Sequence, residues 1–306
     1  MKKICILICL IGMALNIAAK ETVTIYYPFG VSDSMTNWGR TLVEEANKSQ
    51  DQYTFLFDFK PGAGNAIAAL HVSRTPNTII MTSPALFIRP IFYPNESYYD
   101  VKSFRPLLAQ CAAPLVITST RYKSWDEVPV DKPLNMAVTG TGTTTHFAGL
   151  QVANKYRNIQ LVPFKSTTDS MLALVSGNVD FSVGFLAAAE AWSINNKGKS
   201  TVNILGVTGS KVINGYPTLI SQGFPLILSS MAIPHALYIS TDVNSDKKYN
   251  ELRKILVKSS NTASVLNSYK PDHCYPLSDM LDKELQDWFN MQSNLWKDLS
   301  NKVPKE

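Results

Sequence analysis

A repeated alternation of short apolar strands and helix-spaced segments constrains this chain more than any other feature. Residues 21–27 alternate β-branched and polar side chains and read as a first strand. Beyond a turn, Met35, Trp38, Leu42 and Ala46 fall on one helical face through Asn47, with Asp33 standing where an N-cap belongs. Strand 53–59, a glycine-rich turn at 61–65, helix 66–73 and strand 78–81 follow. Pro84 then fits the first turn of another short helix through Ile88. This β-α-β-α-β rhythm specifies a mostly parallel sheet wrapped by helices.

A loop rich in Tyr and Pro is expected over 90–102. Residues 104–109 and 114–118 read as two strands or as one long bent strand, and 124–128 as a helical turn. A second alternating unit starts at Leu134: strands 134–139, 159–164, 179–183 and 202–208 interleave with helices 146–156, 169–175 and 186–195. After an apolar run at 226–239, two helices close the chain. One spans 246–266 and buries Leu252, Ile255 and Leu256; the other is capped by Ser278 and carries a stripe of Leu281, Leu285, Trp288, Leu295 and Leu299. They are too little for a third domain and are expected to return over the first.

The N-terminus has the three parts of a secretory signal peptide: Met1-Lys2-Lys3, an apolar core from Ile4 to Leu15, and small residues ending at Ala18-Ala19. The run is shorter than the roughly 20 residues a spanning helix needs. Ile8 before Cys9 is bulkier than a lipidation site wants. Residues 1–19 are therefore expected to be removed, leaving an exported, periplasmic protein. Export makes a disulfide between Cys111 and Cys274 possible, while two buried thiols stand as the alternative. The net charge of +5 is mild and there is no long basic stretch, which argues against a nucleic-acid partner.

One loop draws the chemistry together: Thr139-Gly140-Thr141-Gly142-Thr143-Thr144-Thr145-His146. It links a buried strand to a helix, so backbone N–H groups and hydroxyls converge at a helix N-terminus, where an anionic group can sit. The plainer reading is that Thr143 or Thr144 caps the helix and the glycines make the turn.

Several motifs in order resemble the substrate-binding proteins of the tripartite tricarboxylate transporters, the Bug family. They are Pro28-Phe29-Gly30-Val31-Ser32-Asp33, Pro61-Gly62-Ala63-Gly64-Asn65, Phe104-Arg105-Pro106-Leu107-Leu108-Ala109, the loop Gly140 to His146, Val162-Pro163-Phe164-Lys165, Ser176-Gly177-Asn178-Val179-Asp180, Leu205-Gly206-Val207-Thr208 and Tyr216-Pro217-Thr218. Each is weak alone; their joint order over nearly the whole mature chain carries the resemblance. It implies an α/β type II periplasmic binding protein with two α/β lobes and a ligand cleft between them. One lobe is placed at 20–113 plus 226–306 and the other at 114–225, with hinges near 112–118 and 225–230. The implied function is capture of a small carboxylate ligand by lobe closure and delivery to membrane permease subunits, by a monomer without cofactor, metal or catalytic residues. A sensor that docks on a histidine kinase and an oxyanion-binding protein of another transporter class are the alternatives.

Ligands in open α/β sheets sit at the carboxyl ends of strands. On that rule the candidate ligand contacts are Phe29, Gly30, Ser32 and Asp33 in the first loop, and Thr82 and Ser83 after the third strand. In the second unit they are Thr139, Gly140, Thr141, Thr143, Thr144 and His146, with Phe185 at the end of a later strand. His146, one position into the helix, has a packing role as its main reading. The family's first loop usually carries two adjacent glycines, and Phe29 replaces the first, adding a ring to the cleft. Enzyme readings lack support: there is no Gly-x-Ser-x-Gly elbow and no His-Glu-x-x-His, and the four histidines are scattered.

Overall fold

A computed structural model describes residues 20–31, 33, 35–195, 202–224 and 232–302. The leader read over 1–19 and the crossing read over 225–230 lie outside these residues.

Both alternating units form parallel ladders. In the first, β1 (Glu21–Tyr27) lies between β2 (Tyr53–Phe59) and β3 (Thr78–Thr82), parallel to each. Val23, Ile25 and Tyr27 of β1 are fully buried while the residues between them are more exposed, the period of two that the sequence shows. Residues 104–119 form one strand, β4 (Phe104–Ser119), rather than two. In the second unit, β5 (Leu134–Thr139) pairs in parallel with β6 (Ile159–Phe164) and β7 (Phe181–Phe185). β8 (Asn203–Val207), β9 (Ala232–Ser240) and β10 (Tyr275–Pro276) complete the sheet, whose order is β2-β1-β3-β9-β4-β7-β5-β6 with β8 and β10 also on β4.

β4 joins the two halves. Its residues from Phe104 to Pro114 pair with β9, and Leu115 to Ser119 pair with β7, all antiparallel. The stretch 112–118, read as a hinge, contains this change of partners. Nearly every residue of β4 is buried, as a strand covered on both faces must be.

Helices cover the sheet: α1 (Thr36–Lys48), α2 (Ala66–Arg74), α3 (Ala85–Phe92) and the single turn α4 (Pro94–Ser97) in the first half. The second half carries α5 (Thr144–Lys155), α6 (Thr167–Val175) and α7 (Leu186–Asn195). The tail supplies α8 (Asp246–Ser260) and α9 (Ala263–Ser268), which pack on α1, and α10 (Asp282–Ser300), which packs on α3 and β4. The tail thus returns over the first half, as expected.

The structure corrects several details. Residues 246–266 are two helices: the first stops at Ser260, and Thr262 caps the second, its hydroxyl accepting from the Val265 N–H. Ser278 does not cap the last helix; its hydroxyl donates to Asn261 Oδ1, and the helix starts at Asp282 with Glu284 accepting from the Leu281 N–H. The buried face of α10 is Leu285, Trp288, Phe289, Gln292, Trp296 and Leu299, while Leu281 and Leu295 are exposed. The loop expected over 90–102 contains the end of α3 and α4. Pro90 lacks the N–H that would bond the Leu86 carbonyl, and the Tyr99 hydroxyl donates to that carbonyl instead at 3.0 Å. Helix α5 starts two residues earlier than the apolar spacing suggested, since Thr143 is the cap.

Cys111 and Cys274 form a disulfide that fastens the short strand β10 to β4. No helix among the described residues is long and apolar enough to cross a membrane.

Candidate functional site

The carboxyl ends of β1, β3, β5 and β7 converge where the two halves face each other, around a narrow cavity with about 10 Å³ of free space. The first half contributes Tyr27 from the end of β1, Phe29, Asp33 and Met35 from the following loop, Ser83 after β3, and His235 from β9. The second half contributes Thr139 from the end of β5, Thr143, Thr144 and Thr145 from the start of α5, Thr167 from the start of α6, and Phe185 from the end of β7. Two helix N-termini and seven hydroxyl side chains thus face one small space, and among the described residues no Lys or Arg side chain lines it.

The α5 end is built by its own threonines. Thr143 caps the helix, its Oγ1 accepting from His146 N at 3.2 Å and donating to the Gly140 carbonyl at 3.1 Å. Thr145 Oγ1 accepts from Thr139 N at 2.8 Å, tying the strand end to the helix start. The N–H groups of Thr144 and Thr145, first and second in the helix, have no acceptor within it. Beside them Thr139 Oγ1 is buried without a hydrogen-bond partner, on a residue only 4% exposed. That orphaned hydroxyl, a helix N-terminus and its dipole together favour an anionic oxygen.

The opposite wall centres on Asp33. Its expected role as N-cap of α1 is not what the structure shows: the cap position is Met35, and Asp33 sits in the turn before it. Asp33 Oδ1 accepts from the Tyr27 hydroxyl at 2.7 Å and from Met35 N at 3.2 Å. Its Oδ2 accepts from Thr167 Oγ1 at 3.2 Å, a hydrogen bond that bridges the halves. Burial pushes the Asp33 carboxyl above its ordinary range, against hydrogen bonds from Tyr27, Met35 and Thr167 that pull it down. Behind it lies Asp272, pushed up to about 7 by burial and by the charge of Asp33. His235 is pushed down to about 3 by burial, so its ring is neutral, and its Nδ1 lacks a partner.

Phe29 is only 8% exposed and packs edge-on to Tyr27, ring centroids 5.4 Å apart. It is not among the residues with positive φ, so the loop accepts it without strain. Its ring forms cavity wall where a glycine would leave space.

Of the residues singled out in the sequence, Phe29, Asp33, Ser83, Thr139, Thr143, Thr144 and Phe185 border the cavity. Gly30 lies beside it and accepts from Asp33 N with its carbonyl. Thr82 is buried one residue before Ser83. Gly140 donates its N–H to Phe164 in the turn. His146 Nδ1 accepts from Gly142 N at 3.3 Å, a packing role. Ser32 lies outside the described residues. Thr141 faces Arg89 of α3, whose Nη1 donates to the Thr141 carbonyl at 3.0 Å and to its Oγ1 at 2.9 Å.

Tyr27, Met35, Thr145, Thr167 and His235 complete the wall and were not foreseen. Thr167 obeys the same rule as Thr144, following a strand and opening a helix, and was missed because the apolar spacing placed the start of α6 at Asp169. His235 carried no signal, being a lone histidine in an apolar strand.

A family model, the tripartite tricarboxylate transporter family receptor (TctC), matches residues 39–222. No curated protein sequence matches the chain. The periplasmic binding protein BugD superposes with a TM-score of 0.82 at 21% identity, covering 94% of this chain and 98% of its own. MatC of Rhodopseudomonas palustris, solved with bound malate, superposes with a TM-score of 0.79 at 19% identity, covering 92% of this chain and 99% of its own. A second R. palustris protein, solved with adipate, gives 0.78 at 18% identity, covering 93% and 97%. These likenesses establish the two-lobed fold of periplasmic binding proteins.

Proposed function

Because the chain belongs to the tripartite tricarboxylate transporter receptor family, a family of extracytoplasmic solute receptors and not of enzymes, we propose that its cavity captures a compact carboxylate and presents it to a membrane permease. The observation that carries this reading is the α5 N-terminus with the unpartnered Thr139 hydroxyl facing this space, while the Asp33 carboxylate already takes the Thr167 donors at the α6 N-terminus. A carboxylate held there would receive backbone N–H and hydroxyl donors in place of a cation. Structural relatives solved with malate and adipate agree with that chemistry. The free space of about 10 Å³ is close to that of one water and far below the roughly 300–1,000 Å³ common for ligand pockets, so the halves must part to admit a ligand, and a small one suits the site best. Phe29 restricts it further.

In this reading residues 20–113 with 226–306 make one lobe and 114–225 the other, and Asp33–Thr167 is a bond of the closed form. The chain is exported by its first 19 residues and acts as a monomer. Mass spectrometry of the secreted protein checks the new N-terminus at Lys20 or Ala19.

The test of capture is thermal stabilisation of unfolded-and-refolded protein, free of carried ligand, across mono- and dicarboxylates, amino acids, aromatic acids and inorganic oxyanions. A ligand at 100 times its Kd adds about 2.7 kcal/mol. Stabilisation by a small carboxylate supports the proposal; a flat response across the panel refutes it.

A further inference from the structure

We propose that Arg89 is a closure latch, a positioning residue that holds the two halves together at the rim of the cleft independently of any ligand. Arg89 lies on α3 in the first half and is 2% exposed. Its Nη1 reaches across to the second half, donating to both the carbonyl and the hydroxyl of Thr141. Its Nη2 pairs with the Glu96 carboxylate on α4, and its guanidinium lies 4.1 Å from the centre of the Tyr93 ring. The side chain is therefore aimed by its own half before it meets the other one, so little freedom is lost on closing.

The loop it grips is shaped for that approach. Gly142 has φ +70°, and a Cβ there would lie 2.6 Å from Arg89 Cδ. From the first half, Gly64 presses against the Thr141 carbonyl so closely that a Cβ would collide with it. Next to this clasp Phe147 of α5 packs on Phe92 and Trp296 of the first half, with centroids 6.4 and 5.4 Å apart. Thr141 lies three residues before Thr144, so the latch also sets where the α5 N-terminus stands relative to Asp33. Apparent affinity scales with the fraction of protein in the binding-competent form, so a latch that raises that fraction tightens binding of any ligand without touching it.

The inference rests on two lobes that open and close, not on the identity of the ligand. Its test uses the mature chain with the disulfide intact and nitroxide amino acids at Lys254 and Leu172, exposed positions on opposite halves. Electron–electron double resonance then reads the distance distribution without added ligand. The wild-type protein should show a short-distance population. Arg89→Ala should lower the ratio of short to long distances about tenfold or more, the range for a charged hydrogen bond. Arg89→Lys should lower it as well, since one ammonium cannot serve both oxygens of Thr141 and Glu96 together. Thr141→Val, which keeps the carbonyl, should lower it about threefold. Should Arg89→Ala fail to fold, the lysine and valine variants decide. A wild-type protein with only the long distance overturns the latch, and so do folded variants with the wild-type distribution. Neither result bears on which ligand the cavity takes.

Discussion

Replacing Thr139 by valine exchanges a buried hydroxyl for a methyl of nearly the same shape. In this protein that hydroxyl has no hydrogen-bond partner and the residue is 4% exposed. A buried polar atom left unpaired costs about 1–3 kcal/mol, and valine suits a strand as well as threonine does. The backbone N–H of Thr139, held by Thr145 Oγ1, is untouched by the change. The ligand-free variant should therefore gain about 1 kcal/mol, which for a chain of this length raises Tm by about 2 °C. Binding should move the other way. A hydroxyl donating to an ionised carboxylate contributes about 1.5–3 kcal/mol, so its loss weakens the ligand found in the stabilisation panel about 10- to 150-fold. Calorimetric melting of refolded protein and isothermal titration with that ligand measure the two effects. A variant that melts lower than wild type, or binds within twofold of it, refutes the assignment of this hydroxyl to the ligand. Opposite signs for stability and affinity are what distinguish a binding group from a packing group.

Four further outcomes follow from the geometry. The Cys111–Cys274 bridge spans a sequence separation of 163 residues, so loop entropy assigns it about 5 kcal/mol, and the double alanine variant should melt several degrees lower than the oxidised protein; equal melting points under oxidising conditions would refute this. Asp272 has a folded pKa raised to about 7, above that of an unfolded aspartate, so the folded state holds the extra proton and stability from this group falls as pH rises from about 4 to 7. Asp272→Asn should accordingly stabilise the protein more at pH 8 than at pH 5 in urea melts, by up to about 3 kcal/mol, and a pH-independent difference would contradict the burial argument. His235 has the opposite sign, its folded pKa lying at about 3 below its unfolded value, so its contribution is lost as pH falls below about 6.5. Phe29→Ala should remove the ring packed on Tyr27, costing about 3–5 kcal/mol of stability, and admit larger dicarboxylates than the wild-type cavity takes; an unchanged ligand spectrum in the panel would show that the ring does not set ligand size.

Much of this protein was legible before any coordinates. Strands over 21–27, 53–59, 134–139 and 159–164 fall where the sequence puts them, the first from its alternation and the third from its apolar run, as does helix 186–195. Local sterics and the periodicity of burial act within a few residues, so a single sequence carries them. The loops after β1, β3, β5 and β7 were legible for a related reason: a strand that ends in glycine and hydroxyl residues before a helix leaves unpaired N–H groups wherever it folds. What happens between loops was not. That Asp33 gives up capping α1 to bind Tyr27 and Thr167, that Thr141 turns from the cavity to Arg89, and that His235 and Asp272 stand behind the wall depend on contacts between residues far apart in the chain. The choice between two thiols and one disulfide is of the same kind, decided when β10 reaches Cys111 on β4. Sequence by itself determined the elements and the ends at which a ligand can sit, because these follow from short-range backbone chemistry. Only the tertiary structure decided which hydroxyl is left without a partner and which arginine spans the cleft, because hydrogen bonding of a buried group is settled by whatever else is packed against it.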